Sequence, residues 1–203
     1  MKKILLTLCL AVFSVTGLAL SGCNDTNDVA TAVAAIESLP FKMPATFSYS
    51  AEATARNDML TFVSENQTTL IVECTETNEA FLESARRQDV TASTLTASYK
   101  EAGLDVSIES LDKDAAADKL VYTYTVRLPS LSGNTVTRKY IRITENQTLD
   151  ISCGGSAENG ETIKKEYDAV VQAVEAAEPP AEPPAASEAE PSSSAADSQS
   201  EAP

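Results

Sequence analysis

The sequence predicts an α+β domain: an antiparallel sheet with helices packed on it, carried between two non-globular ends. Three observations lead there. Apolar residues alternate with period two in several short runs between Phe47 and Cys153. Two runs of helical period interrupt that series, and an amphipathic helix closes it. The ends differ sharply in composition from the roughly 140 residues between them, which is a length suited to one core.

The chain opens with Lys2 and Lys3, followed by an uncharged apolar run to Leu20. That pattern marks a secretory signal, 1–22, too short for a comfortable membrane span of roughly 20 apolar residues. Residues 23–38 read as a tether. Within it Val29, Val33 and Ile36 recur at helical spacing, so a short helix is expected before Pro40 and Pro44 break the pattern.

The globular part is assigned to 39–177. A short strand is expected at "FSYSA" near Phe47. "DMLTFVS" and "TTLIVEC" read as two strands around the turn "ENQ". "TNEAFLESARRQ" reads as a helix with Thr77 as N-cap and Phe81, Leu82 and Ala85 facing inward. "STLTASYKEAG" is a second helix, with Leu95, Tyr99 and Ala102 on one face and Gly103 ending it. "DVSIES" alternates as a strand, and "DKDAAAD" reads as a solvated loop after it. "DKLVYTYTVRL" is the clearest strand, with Leu120, Tyr122, Tyr124 and Val126 on one face. "SGN" at Ser132–Asn134 marks a turn. "VTRKYIRIT" and "TLDISC" form the next hairpin. Ile163, Tyr167, Val170, Val171 and Val174 make the apolar stripe of the closing helix. The tail 178–203 is rich in Pro, Ala, Ser and Glu and cannot bury enough apolar surface to offset its ordering entropy, so disorder is expected.

Composition excludes several functions. The formal net charge is −15, and loss of the two signal lysines takes it to about −17. Such a chain repels nucleic acid and anionic headgroups, so no nucleic-acid partner is expected. There is no histidine. Ser-His-Asp and Cys-His arrangements and imidazole metal ligands are therefore excluded. Ser-Lys and carboxylate chemistry stay open, without a motif. No cofactor or metal is expected.

Leu20-Ser21-Gly22-Cys23 resembles the bacterial lipobox. The resemblance implies cleavage before Cys23 and a diacylglycerol on its sulfur, with a further acyl chain such as palmitate on the new amino group. Two or three chains hold a protein to a bilayer, where one chain is marginal. Asn24 and Asp25 depart from the aspartate-second pattern that retains such proteins in the inner membrane, which favours the outer membrane. With Cys9 in the signal and Cys23 lipidated, Cys74 and Cys153 remain as an even pair in an oxidising compartment. "ENQTTLIVEC" and "ENQTLDISC" echo each other and put both sulfurs on the apolar face. A Cys74–Cys153 disulfide is expected, stabilising by about 4–5 kcal/mol in the chain-entropy account.

The element order resembles the PsbP-like fold, which includes small envelope lipoproteins similar to the DcrB family. "LPFKMPATFSYS", the meander from "LVYTYTV" to "TLDIS", and "KKEYDAVVQAVE" carry the resemblance. It implies a non-catalytic accessory or assembly module and supplies no catalytic residues.

Other candidates have plainer readings. Asp112, Asp114 and Asp118 lack the glycine and glutamate of a calcium loop. Asn66 and Asn146 head N-x-T triplets that read as turns. Arg86-Arg87, Arg138-Lys139 and Lys164-Lys165 would form an anion site only if two pairs converged. Tyr122, Tyr124, Tyr140 and Tyr167 are expected to pack together in the core. The function expected is that of a lipid-anchored, non-enzymatic envelope lipoprotein that binds a protein partner. The alternative is a small-ligand binder with a pocket between sheet and helices.

Overall fold

The computed structural model describes residues 29–51, 53–54, 59–129 and 133–177. The signal, Cys23 and the tail lie outside the described residues. In chain order the elements are helix α1 (Val29–Glu37), strands β1 (Phe47–Tyr49), β2 (Met59–Ser64) and β3 (Thr69–Glu76), helices α2 (Glu79–Arg86) and α3 (Ala92–Glu101), strands β4 (Ser107–Ala115), β5 (Lys119–Leu128), β6 (Thr135–Thr144) and β7 (Gln147–Ser156), and helix α4 (Gly160–Ala176). The α+β class with an antiparallel sheet is the one expected.

The seven strands form one sheet in the order β1-β2-β3-β7-β6-β5-β4, with every neighbouring pair antiparallel. Two meanders, β1-β2-β3 and β4-β5-β6-β7, meet where β3 pairs β7. The chain must therefore cross from the middle of the sheet to its far edge between β3 and β4, and α2 and α3 make that crossing over one face. We call this the back face. Leu82, Ala85, Leu95 and Tyr99 from those helices pack there on Leu120, Tyr122, Tyr124, Val126, Ile141 and Ile143. On the front face, α4 lays Ile163, Tyr167, Val170 and Val174 over Leu70, Val72, Tyr140, Leu149, Ile151 and Cys153.

The central strands are covered on both sides, so they bury both of their alternating faces. On β6, Val136 and Tyr140 point forward while Ile141 and Ile143 point back. This splits the expected tyrosine cluster. Tyr122 and Tyr124 belong to the back core, and Tyr140 and Tyr167 to the front.

Local chemistry explains the ends of elements. Asn78, not Thr77, caps α2: its side-chain oxygen accepts from the Phe81 N–H at 2.9 Å. Thr77 instead donates its hydroxyl to the Thr144 carbonyl at 2.9 Å and ties the helix start to β6. Thr91 and Thr94 form a reciprocal capping box at α3. Gly103 ends α3 at φ 84°, a backbone state that glycine adopts without strain.

Three expectations are corrected. β4 runs on through Asp112 and Asp114, which belong to an exposed edge strand and not to a loop. The segment 23–38 is not wholly a tether, because α1 lies against β2 and packs Ala35 and Ile36 on the front core; Val33 is 46% exposed on its outer side. Finally, Cys74 and Cys153 are free thiols. Both do point to the front face, but β3 and β7 are antiparallel. Their register sets Leu70 opposite Cys153, Val72 opposite Ile151 and Cys74 opposite Leu149. Each cysteine faces the other strand's leucine. The two are offset by four residues, about 13 Å along the strands, where a disulfide needs Cα atoms within about 7 Å.

Candidate functional site

The sheet register brings together one group with chemical potential that the sequence reading had left open. Lys139 on β6 stands directly opposite Ser152 on β7, and Asp150 lies two residues along the same face. The lysine Nζ donates to Asp150 Oδ1 at 2.5 Å and to Ser152 Oγ at 2.6 Å. All three sit on the back face. Lys139 is 0% exposed, Ser152 1% and Asp150 7%. Tyr124 is opposite Lys139 on β5, and Ile71 is opposite Ser152 on β3. Burial pushes the Asp150 carboxyl above its ordinary value, against the pull of the Lys139 charge and hydrogen bond.

A Ser-Lys pair acts as nucleophile and base when the amine is free to take the seryl proton at the mouth of a cleft. Here the amine is engaged by both Asp150 and Ser152, inside the sheet and away from any cleft. The serine is walled in by neighbouring strands. The arrangement is a satisfied polar insert in a core, closed off from solvent.

The front face carries a second polar group. Glu166 on α4 is 7% exposed and accepts from Ser64 Oγ at 3.2 Å and from Asn66 Nδ2 at 2.9 Å. Ser64 Oγ also accepts from the backbone N–H groups of Asn66 and Thr68, each at 3.2 Å. The N-x-T turn at Asn66 is thus a structural turn, clamped to the closing helix. Cys153 lies against the Ile163 carbonyl, and its thiol is pushed up to about 12, first by burial and then by the Glu166 charge. Burial also raises the Cys74 thiol, with Arg142 pulling the other way. Neither thiol is placed as a reactive thiolate.

The basic pairs do not converge as pairs. Strand alternation sends Arg138 forward and Lys139 back. Arg86 donates to the Ala116 carbonyl and pairs with Glu83. Lys164 pairs with Asp168 on the solvent side of α4. Asp150, Ser152 and Glu166 were not singled out from sequence. The available signal was that Asp150 and Ser152 alternate with Leu149, Ile151 and Cys153, which becomes meaningful once β7 is known to be covered on both faces. A shallow cleft of about 530 Å³ lies beside the β5–β6 turn, lined by Gly133, Asn134, Ser156, Ala157 and Glu158. None of these brings a catalytic constellation to it. No helix among the described residues is long and apolar enough to cross a membrane.

Fold and site together define an α+β domain with helices on both faces of one antiparallel sheet and a sealed polar core. No family model matches the sequence, and no curated protein matches it. In structure the chain is similar to cyanobacterial PsbP (CyanoP) from Synechocystis sp. PCC 6803, seen in solution, with a TM-score of 0.48 and 11% identity. That likeness covers 66% of this chain and 83% of the other. It concerns the arrangement of elements and carries no residue role across.

Proposed function

We propose that this chain is a lipid-anchored cell-envelope lipoprotein whose folded domain works by binding a protein partner and not by catalysis. The observation that carries the anchor is Leu20-Ser21-Gly22-Cys23 at the end of a basic-then-apolar leader. Cleavage before Cys23 leaves an acylated amino terminus with five residues between it and α1. The outer membrane is the favoured bilayer because Asn24, not aspartate, follows the lipidated residue.

The non-catalytic half of the reading is supported by the core. The Ser-Lys pair that the fold assembles is buried and charge-locked by Asp150. The helix–sheet interfaces are filled with side chains such as Leu95, Tyr99, Val170 and Val174, each at most 1% exposed. Partner binding then falls to the surface and to the acidic ends.

Labelled palmitate fed to expressing cells tests the anchor. Label is expected on the wild-type protein in the membrane fraction and is expected to be absent from Cys23→Ser. An unlabelled, soluble wild type overturns the proposal. In-cell crosslinking from the folded domain tests the binding role. Recovery of the same second protein across preparations supports it, and recovery of the lipoprotein alone counts against it.

A further inference from the structure

Arg138 is an arginine with no counter-ion in a strongly acidic chain. It is half-buried on the front face, opposite Cys153 on β7 and Thr125 on β5. Its Nη1 donates to Thr125 Oγ1 at a long 3.4 Å. Its Nε is buried and meets no acceptor, and Arg138 makes no ion pair among the described residues. A buried donor left unmatched costs about 1–3 kcal/mol, and more when it is charged. Neighbouring acids are already engaged. Glu166, which acts on Cys153 from the same face, is held by Ser64 and Asn66, Glu109 by Arg127, Asp150 by Lys139 on the opposite face, and Asp168 by Lys164. Cys153 and Tyr167 face the guanidinium from β7 and α4, but burial keeps both in their neutral forms at neutral pH.

Thr125 adds a second unused donor. It is 4% exposed, and its Oγ1 accepts from Ser110 Oγ at 3.1 Å as well as from Arg138. Both lone pairs are then occupied, and the hydroxyl proton is left to donate. No acceptor takes it among the described residues. A cationic fork and a hydroxyl thus stand side by side, and no carboxylate among the described residues forms an ion pair with the fork. α4 packs over β6 and β7, while Ser110, on the edge strand β4, is exposed and leaves the site open on that side. Guanidinium is matched in shape and charge by a carboxylate or a phosphate.

We infer that Arg138 and Thr125 form a binding site for an oxyanion group, a carboxylate or a phosphate, on the open side of the front face beside α4. The site does not depend on the lipid anchor.

Full-length protein is titrated with inorganic phosphate and, separately, with acetate, at constant ionic strength set with sodium chloride. Thermal unfolding and calorimetry are the readouts. At least one anion is expected to give a saturable rise in Tm. Which of the two does so distinguishes a phosphate site from a carboxylate site. Arg138→Gln is expected to weaken binding by about tenfold or more, and Arg138→Lys to weaken it because the planar fork is lost. Thr125→Val, nearly isosteric, weakens it by removing one donor and serves if Arg138→Gln fails to fold. Lys164→Gln makes the same charge change on α4 and is expected to leave binding unchanged. A wild type without a saturable shift for either anion overturns the inference, as do Arg138→Lys and Thr125→Val that bind like wild type.

Discussion

Removing the Asp150 carboxylate would leave the Lys139 ammonium with no counter-charge at a position that is 0% exposed. Asp150→Ala is therefore expected to destabilise by about 3–5 kcal/mol, read as a lower urea midpoint at unchanged slope. Replacing the whole group, Lys139→Met with Asp150→Leu and Ser152→Ala, is expected to lie within about 2 kcal/mol of wild type, because apolar side chains need no partners. The contrast separates a costly orphan charge from a strongly stabilising pair. Cys153 makes a pH prediction. Its folded thiol sits at about 12 against an ordinary 9.0, so the neutral form is the one that folding favours. The contribution to stability is full below pH 9 and is lost as pH climbs toward 12, because the unfolded chain sheds its proton first. Tyr167, raised by burial above an ordinary 10.0, acts in the same direction. Urea midpoints should fall between pH 9 and 11, and Cys153→Ala should flatten the part of that fall due to the thiol. Among these residues Cys153 and Tyr167 were legible in the sequence as inward-facing, and Lys139 only as half of a basic pair. Lys139, Asp150 and Ser152 are ordinary polar letters in alternating strands until pairing sets them side by side.

At the scale of elements, the β6–β7 ladder has one position that admits no side chain. A Cβ on Gly154 would stand 2.6 Å from Thr137 Oγ1 and 2.9 Å from the Val136 carbonyl oxygen. Since backbone must shift to relieve the second contact, Gly154→Ala is expected to destabilise by about 1–3 kcal/mol, measured by thermal melting. Asn78→Ala should cost about 1 kcal/mol through loss of the α2 cap, while Thr77→Val acts on the tie to Thr144 and leaves the cap in place. Far-ultraviolet circular dichroism during denaturation reads both. Most elements were legible because their apolar periods are strong: β5 and α4 follow the expected stripes. The edges were harder. β4 pairs on one side only, so its outer positions carry Asp112, Lys113 and Asp114, and its composition looks like a loop. Those charges also discourage another strand from adding to that edge.

At the scale of the molecule, the two strand echoes meet. β3 and β7 pair about Val72 and Ile151 so that equivalent residues are swapped end for end. Antiparallel pairing of two similar strands puts their terminal cysteines at opposite ends of the ladder. Mass spectrometry of alkylated, non-reduced protein is expected to show Cys74 and Cys153 as separate peptides with free thiols. Dithiothreitol is expected to leave Tm unchanged. A linked peptide pair would require β3 to slide four residues against β7, which would break the swapped pairing of Leu70 and Leu149 with the cysteines.

Which residues are apolar, at what period, and where the runs stop are all legible in the letters. Those local properties carry the class of fold, most of its elements, the missing imidazole chemistry and the Leu20-Ser21-Gly22-Cys23 pattern behind the proposed anchor. Which strand lies beside which emerges on folding. From that pairing come the free thiols, the sealed Lys139–Asp150–Ser152 group and the unneutralised Arg138. The physical reason is that period fixes the face of a strand on which a side chain stands, whereas register and neighbour order are set by contacts between segments far apart in the chain.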